Sequence, residues 1–233
     1  MNFIFDTTYF GIILSFLAFE IGKWINSKLK NPLANPLLIA ILLIIGFLQI
    51  TGIPYEHYKK GGDFITFFIA PATVAMVLDL YSNLDSLKKN VVPILVGVVA
   101  GSILSIPLAI FLAKGFGMTQ DLVISLIPQS ITTAIAISLV EEYNGIVALT
   151  AIMVVLRGVI GASTAPIIMK IFKITDPIAQ GVSIGTSSHA VGTSEARKMG
   201  TIQGAMSGLS IVIAGIVTVV LMPMAILIVN SLF

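Results

Sequence analysis

The chain contains no cysteine. That excludes disulfide staples, thiol nucleophiles and cysteine-ligated metals, and says nothing about compartment. Charge is nearly as scarce: Asp, Glu, Lys and Arg make up 10% of the 233 residues, and the formal net charge is +2. So slight an excess leaves no electrostatic footprint for a nucleic-acid partner, and no nucleic acid is expected. The Cys/His/carboxylate cluster of a zinc site is missing, so neither a metal nor another cofactor is expected. H-E-x-x-H and paired aspartates are absent from the apolar stretches, which makes an enzyme the least favoured class.

What the chain has in excess is apolar surface, with 57% of residues hydrophobic. Stretches 31–55, 90–113, 122–140 and 199–233 carry no ionised side chain, and about 20 such residues cross the hydrocarbon core as a helix. The alternating pattern of a membrane barrel is absent. The expected fold is therefore all-α, a polytopic helical protein in the lipid bilayer. The first apolar segment carries Glu20 and lacks a basic leader and a small-residue cleavage site, so it reads as a retained span and not a signal peptide.

Charge gaps and Gly/Pro punctuation divide the chain into eight segments near 7–25, 35–54, 64–80, 90–113, 122–140, 145–170, 177–194 and 203–231. The third is short and interrupted by Pro71, and the seventh contains Gly181, Gly185 and Gly192. These two weak segments correspond when the chain is laid on itself. "IAPATVAMV" from Ile69 falls against "IGTSSHAVG" from Ile184, "AGSIL" at 100 against "AGIVT" at 214, and "IPLAI" at 106 against "MPMAI" at 222. The offsets 115, 114 and 116 point to two four-segment repeats, residues 1–116 and 117–233, each with a broken or re-entrant helix. Lys and Arg partition eight against four if both weak segments re-enter and seven against five if all eight cross, which favours inverted halves by one charge.

A helix broken inside a bilayer leaves N–H and C=O groups that no water satisfies, so breaks mark cavities or protein-buried sites. The candidate solute-binding residues follow from that rule. Pro71 and Thr73 lie in segment three. Gln129, Ser130, Thr132 and Thr133 lie in segment five beside Pro128, with Gln129/Thr133 and Pro128/Thr132 each one turn apart on one helix face. Thr186, Ser187, Ser188, His189 and Thr193 lie in segment seven. Arg157 stands thirteen residues from both Asn144 and Lys170, at a depth where an unpaired charge costs at least about 2.5 kcal/mol. Its partner is Glu20, Asp79 or the carboxylate of a bound solute. The ladders Gly200/Gly204/Gly208 and Gly97/Gly101 read as helix-packing positions.

The strings "IPQSITTAIA", "IAPATVAMVLDLY" and "GTSSHAVGTSEARKMG" resemble the LrgB/CidB family, and the resemblance covers nearly the whole chain. It implies an antiholin-like role in regulating murein hydrolase activity and lysis, with a small LrgA/CidA-type holin-like subunit as partner. It also implies similarity to carriers of pyruvate, glycolate and glycerate, including a plastid-envelope branch. Gln129 stands where the family pattern carries a lysine, and Ala134 where it carries a proline. Arg157 is the candidate for the missing positive charge. The expected function is a secondary transporter or facilitator of small monocarboxylates in the bacterial plasma membrane, working as a homodimer. The alternative is a non-transporting, antiholin-like regulator.

Overall fold

The computed structural model describes residues 5–29, 35–68, 71, 81 and 84–233. Helix is the only regular secondary structure among them. In chain order the helices are α1 (Thr8–Leu29), α2 (Pro36–Thr51), α3 (Tyr55–Phe67), α4 (Leu84–Lys89), α5 (Val91–Gly115), α6 (Gln120–Leu126), α7 (Thr133–Glu142), α8 (Val147–Ile171), α9 (Pro177–Met199) and α10 (Thr201–Leu232). By length and composition α1, α5, α8 and α10 can each cross a bilayer, and α2 is a shorter apolar helix. The chain is an integral membrane protein. Its helix ends follow the charges and turn residues, because the bilayer admits long helices only where charges are absent.

Two compact units emerge, residues 1–75 and 76–233. In the first, α1 packs against α2 and α3. Glycines set the α1–α3 crossing: a methyl at Gly11 would stand 2.3 Å from the Tyr58 carbonyl oxygen, and one at Gly61 would stand 2.5 Å from that of Thr8. Ser15 and Tyr58 share a hydroxyl hydrogen bond of 3.0 Å across the same pair. Before α1, Asp6 Oδ1 takes Lys60 Nζ at 2.6 Å and His57 Nδ1 at 2.7 Å. Lys60, then His57, hold the Asp6 carboxyl below the usual carboxylate range. A depressed carboxyl stabilises the fold above that range, and its contribution is lost as pH falls through it.

Glu20 offers both carboxylate oxygens to Lys23, at 2.8 and 3.0 Å. It is thus engaged on its own helix; Asp79 lies outside the described residues. Of the third segment, Pro71 is helical and exposed, while Thr73 lies outside the described residues.

In the second unit α9 and α10 form the closest pair, α8 covers α9, and α5 touches both α9 and α10. Small residues make this possible, since helices in lipid gain from close backbone approach. A methyl at Gly185 would reach 2.2 Å from the Ser207 carbonyl oxygen, and one at Gly181 would reach 2.5 Å from that of Gln203. Gly97 and Gly101 of α5 face Val182 and Thr186 of α9. Gly208 departs from the packing expectation, because a methyl there meets nothing within 4 Å. The apolar core joins Ile94, Val98, Ile106 and Ile110 of α5 to Val123, Ile127, Ile131, Val154, Met206 and Met222.

Gly185→Ala should cost roughly 2 kcal/mol or more by overpacking a backbone contact, whereas Gly208→Ala should be neutral or slightly stabilising. Thermal unfolding of the purified chain, followed by size-exclusion chromatography, checks the pair; equal midpoints would contradict the α9–α10 contact.

Candidate functional site

The site is built on an interruption in α9. That helix starts regularly, with Pro177 in its first turn and Asp176 accepting the Ala179 N–H at 2.8 Å. Twelve residues on, His189 has φ 40° and ψ −138°, a conformation costing about 1–3 kcal/mol for a residue with a side chain. Its neighbours hold it there. The imidazole Nε2–H donates to the Val154 carbonyl at 2.8 Å, and the ring occupies space vacated by Gly158, where a methyl would stand 2.6 Å from the ring carbon Cε1. Thr193 Oγ1 donates to the His189 carbonyl at 3.0 Å and shares a 2.7 Å hydrogen bond with Ser207. His189, Thr193 and Ser207 are all buried.

The interruption disturbs the carbonyls just before it, and one of them meets Arg157. Arg157 Nε donates to the Ser187 carbonyl at 3.0 Å. One turn of α8 therefore serves the break twice, through the Val154 carbonyl and through Arg157. With Nε engaged, the two terminal amino groups of the guanidinium retain four N–H donors. Among the described residues Arg157 makes no ion pair.

Segment five is interrupted too, and this corrects the continuous polar face read from its sequence. The chain turns from Ile127 to Thr132 between α6 and α7, with three-residue hydrogen bonds from Gln129 N–H to Leu126 at 3.4 Å and from Ile131 N–H to Pro128 at 3.3 Å. Pro128 has no N–H to continue the ladder, and Thr132 in extended conformation starts α7 afresh. Gln129 and Thr133 thus belong to different local structures and share no helix face. Ser130 is buried and Thr132 and Thr133 are half-buried.

Two cavities converge on Arg157. The first, about 470 Å³, lies among α5, α8 and α9 and is lined by Asn90, Gly97, Gly101, Ser105, Thr186 and Asp176, among others. The second, about 420 Å³, runs along α8 and α9 and is lined by Gln129, Met153, Leu156, Ile160, Thr164 and Ser188, among others. Arg157, Ser183 and Ser187 line both. Of the residues expected at the site, Gln129, Arg157, Thr186, Ser187 and Ser188 are brought to these cavities. His189 and Thr193 stand behind them and hold the break. Ser183, Ser105 and the glycines of α5 escaped the sequence reading. Gly97 and Gly101 announced themselves only as packing residues, and the face Ser183 joins depends on which helices meet. Among the described residues no cluster of His, Asp and Glu could hold a metal ion.

Interrupted helices beside partly polar cavities that share one arginine, in a chain with four helices able to cross a bilayer, define the class: a polytopic helical membrane protein. The LrgB-like family matches residues 15–228, and the chain belongs to it. It is 40% identical over 216 residues to the antiholin-like protein LrgB of Bacillus subtilis (strain 168), covering 92% of this chain and 94% of that one. It is 38% identical over 219 residues to the antiholin-like protein LrgB of Bacillus mycoides (strain KBAB4), covering 94% and 95%. No solved structure matches the chain.

Thr193→Val removes a hydroxyl that bridges the strained carbonyl to Ser207 and should destabilise the protein by about 1–3 kcal/mol. Ser194→Ala, whose hydroxyl is exposed and bonds only its own helix, should change stability by less than about 0.5 kcal/mol. Parallel thermal unfolding curves decide, and matching losses in the two variants would remove Thr193 from its holding role.

Proposed function

We propose that the chain is a non-enzymatic secondary carrier or facilitator of small monocarboxylates in the bacterial plasma membrane. The carrying observation is Arg157: a guanidinium at mid-helix, tethered by one nitrogen, without a carboxylate partner among the described residues and opening onto both cavities. A charge left so deep is costly unless a counter-ion visits it, and a carboxylate matches the paired donors of a guanidinium better than any neutral group. Gln129 supplies a neutral amide beside it, Thr186, Ser187 and Ser188 line the walls with hydroxyls bonded within their own helix, and His189 and Thr193 position the break.

The two-half organisation, residues 1–116 and 117–233 in opposite orientation, belongs to the same proposal. Support comes from the corresponding prolines, Pro107 within α5 and Pro223 within α10, and from the interruption of the seventh segment. Pro71, Thr73, Ser130, Thr132 and Thr133 remain members of the proposed site on the strength of their segments. A homodimer gives such halves a fixed neighbour to move against.

The two Bacillus relatives are named antiholin-like, which favours a second reading; with the family resemblance it gives a non-transporting regulator of murein hydrolase activity and lysis that assembles with an LrgA/CidA-type holin-like subunit. It requires a partner-dependent lysis effect without solute flux.

Counterflow of labelled two- and three-carbon acids into proteoliposomes separates the two. Under the carrier reading Arg157→Gln should lower flux at least about tenfold, the loss of one charge-assisted contact, with Arg157→Lys intermediate. Undiminished flux in Arg157→Gln would contradict the assignment.

A further inference from the structure

The second cavity is polar at one end only. Gln129, Arg157, Ser187 and Ser188 stand together there, while Met153, Leu156, Ile160, Ile168, Met169 and Ile174 line the rest. Met169 lies twelve residues beyond Arg157, about 18 Å along α8. The hydroxyls of the wall are already engaged: Thr164 Oγ1 donates to the Ile160 carbonyl at 2.8 Å, Ser183 Oγ donates to that of Ala179, and Ser187 and Ser188 share a hydroxyl hydrogen bond of 3.0 Å. They offer a ligand little. Arg157 is the only cation among the described residues lining either cavity, and the only acid, Asp176, caps α9. One anionic group can therefore be matched, not two.

Size points the same way. A three-carbon acid fills roughly the space of three water molecules at about 30 Å³ each, which leaves most of the 420 Å³ cavity empty. Resting on the monocarboxylate reading, we propose that this site selects monocarboxylates bearing an apolar tail, of about five to eight carbons by the volume available, over two- and three-carbon acids. The carboxylate meets the free edge of the Arg157 guanidinium, and the tail lies along α8 towards Met169 and Ile174. Each methylene buried there strengthens binding about fourfold, the fold-change equivalent to about 0.8 kcal/mol.

The test is competition against labelled pyruvate counterflow in proteoliposomes of the full chain, with pyruvate, 2-oxobutanoate, 2-oxopentanoate, 2-oxohexanoate and 4-methyl-2-oxopentanoate as competitors. Strong 2-oxo acids keep the freely permeating neutral form scarce. The half-inhibitory concentration should fall at least about tenfold from three to six carbons, somewhat less than full burial of three methylenes gives. Thr164→Phe, which fills the apolar compartment, should abolish that gradient while pyruvate still moves. A flat series in the natural chain overturns the tail compartment and leaves the monocarboxylate reading standing. Absence of flux for every acid overturns both. The length series decides alone if Thr164→Phe fails to assemble.

Discussion

The second unit depends on one local event, the departure of His189 from helical geometry in the middle of α9. In a bilayer a freed backbone group must find a protein partner or a wet cavity. Each consequence here has a named answer. The Val154 carbonyl holds the imidazole, Thr193 and Ser207 hold the His189 carbonyl, and Arg157 takes the Ser187 carbonyl. The glycines at 158 and 161 let α8 approach, since a methyl at Gly161 would stand 1.9 Å from Ser188 Oγ. The break is over-determined, as a strained backbone must be in order to persist.

That arrangement links stability to chemistry. The bond that satisfies Ser187 also orients Arg157, leaving its outer edge towards two cavities that share Ser183 and Ser187. Arg157 is thus both a structural donor and the charge of the proposed binding site. The interruption between α6 and α7 contributes Gln129 to the same wall, so two broken segments of one unit supply the polar end. The charge-free apolar remainder gives the cavity an orientation, with the Arg157 guanidinium near one end and hydrocarbon side chains along the rest.

Much of this was legible in the sequence. Charges and turn residues bracket the apolar segments, so the structure's α5, α8 and α10 begin and end within a few residues of the expected 90–113, 145–170 and 203–231. A single arginine in a long apolar run declared itself, as did the polar string around His189. The rupture of segment five was concealed, because Pro128 in a membrane helix is equally compatible with a kink. The cavity-lining role of Ser183, Ser105 and the α5 glycines was concealed for a different reason. It depends on which helix faces meet, and contacts such as His189 to Val154, 35 residues apart, leave no periodic trace. Most of the third segment, which supplies one of the three matches between the halves, lies outside the described residues.

On the proposed function, the junction of Arg157 and Ser187 faces a water-filled path open to a carboxylate. The natural absence of cysteine permits a direct test, because the bond to Arg157 uses the Ser187 backbone and leaves its side chain replaceable. In membranes, Ser187→Cys should react with a membrane-impermeant thiol reagent, and pyruvate should slow the reaction. Leu104→Cys, on an exposed apolar face of α5, should not react. A cysteine at 187 as inert as the one at 104, or one whose labelling is indifferent to carboxylate, would contradict the account.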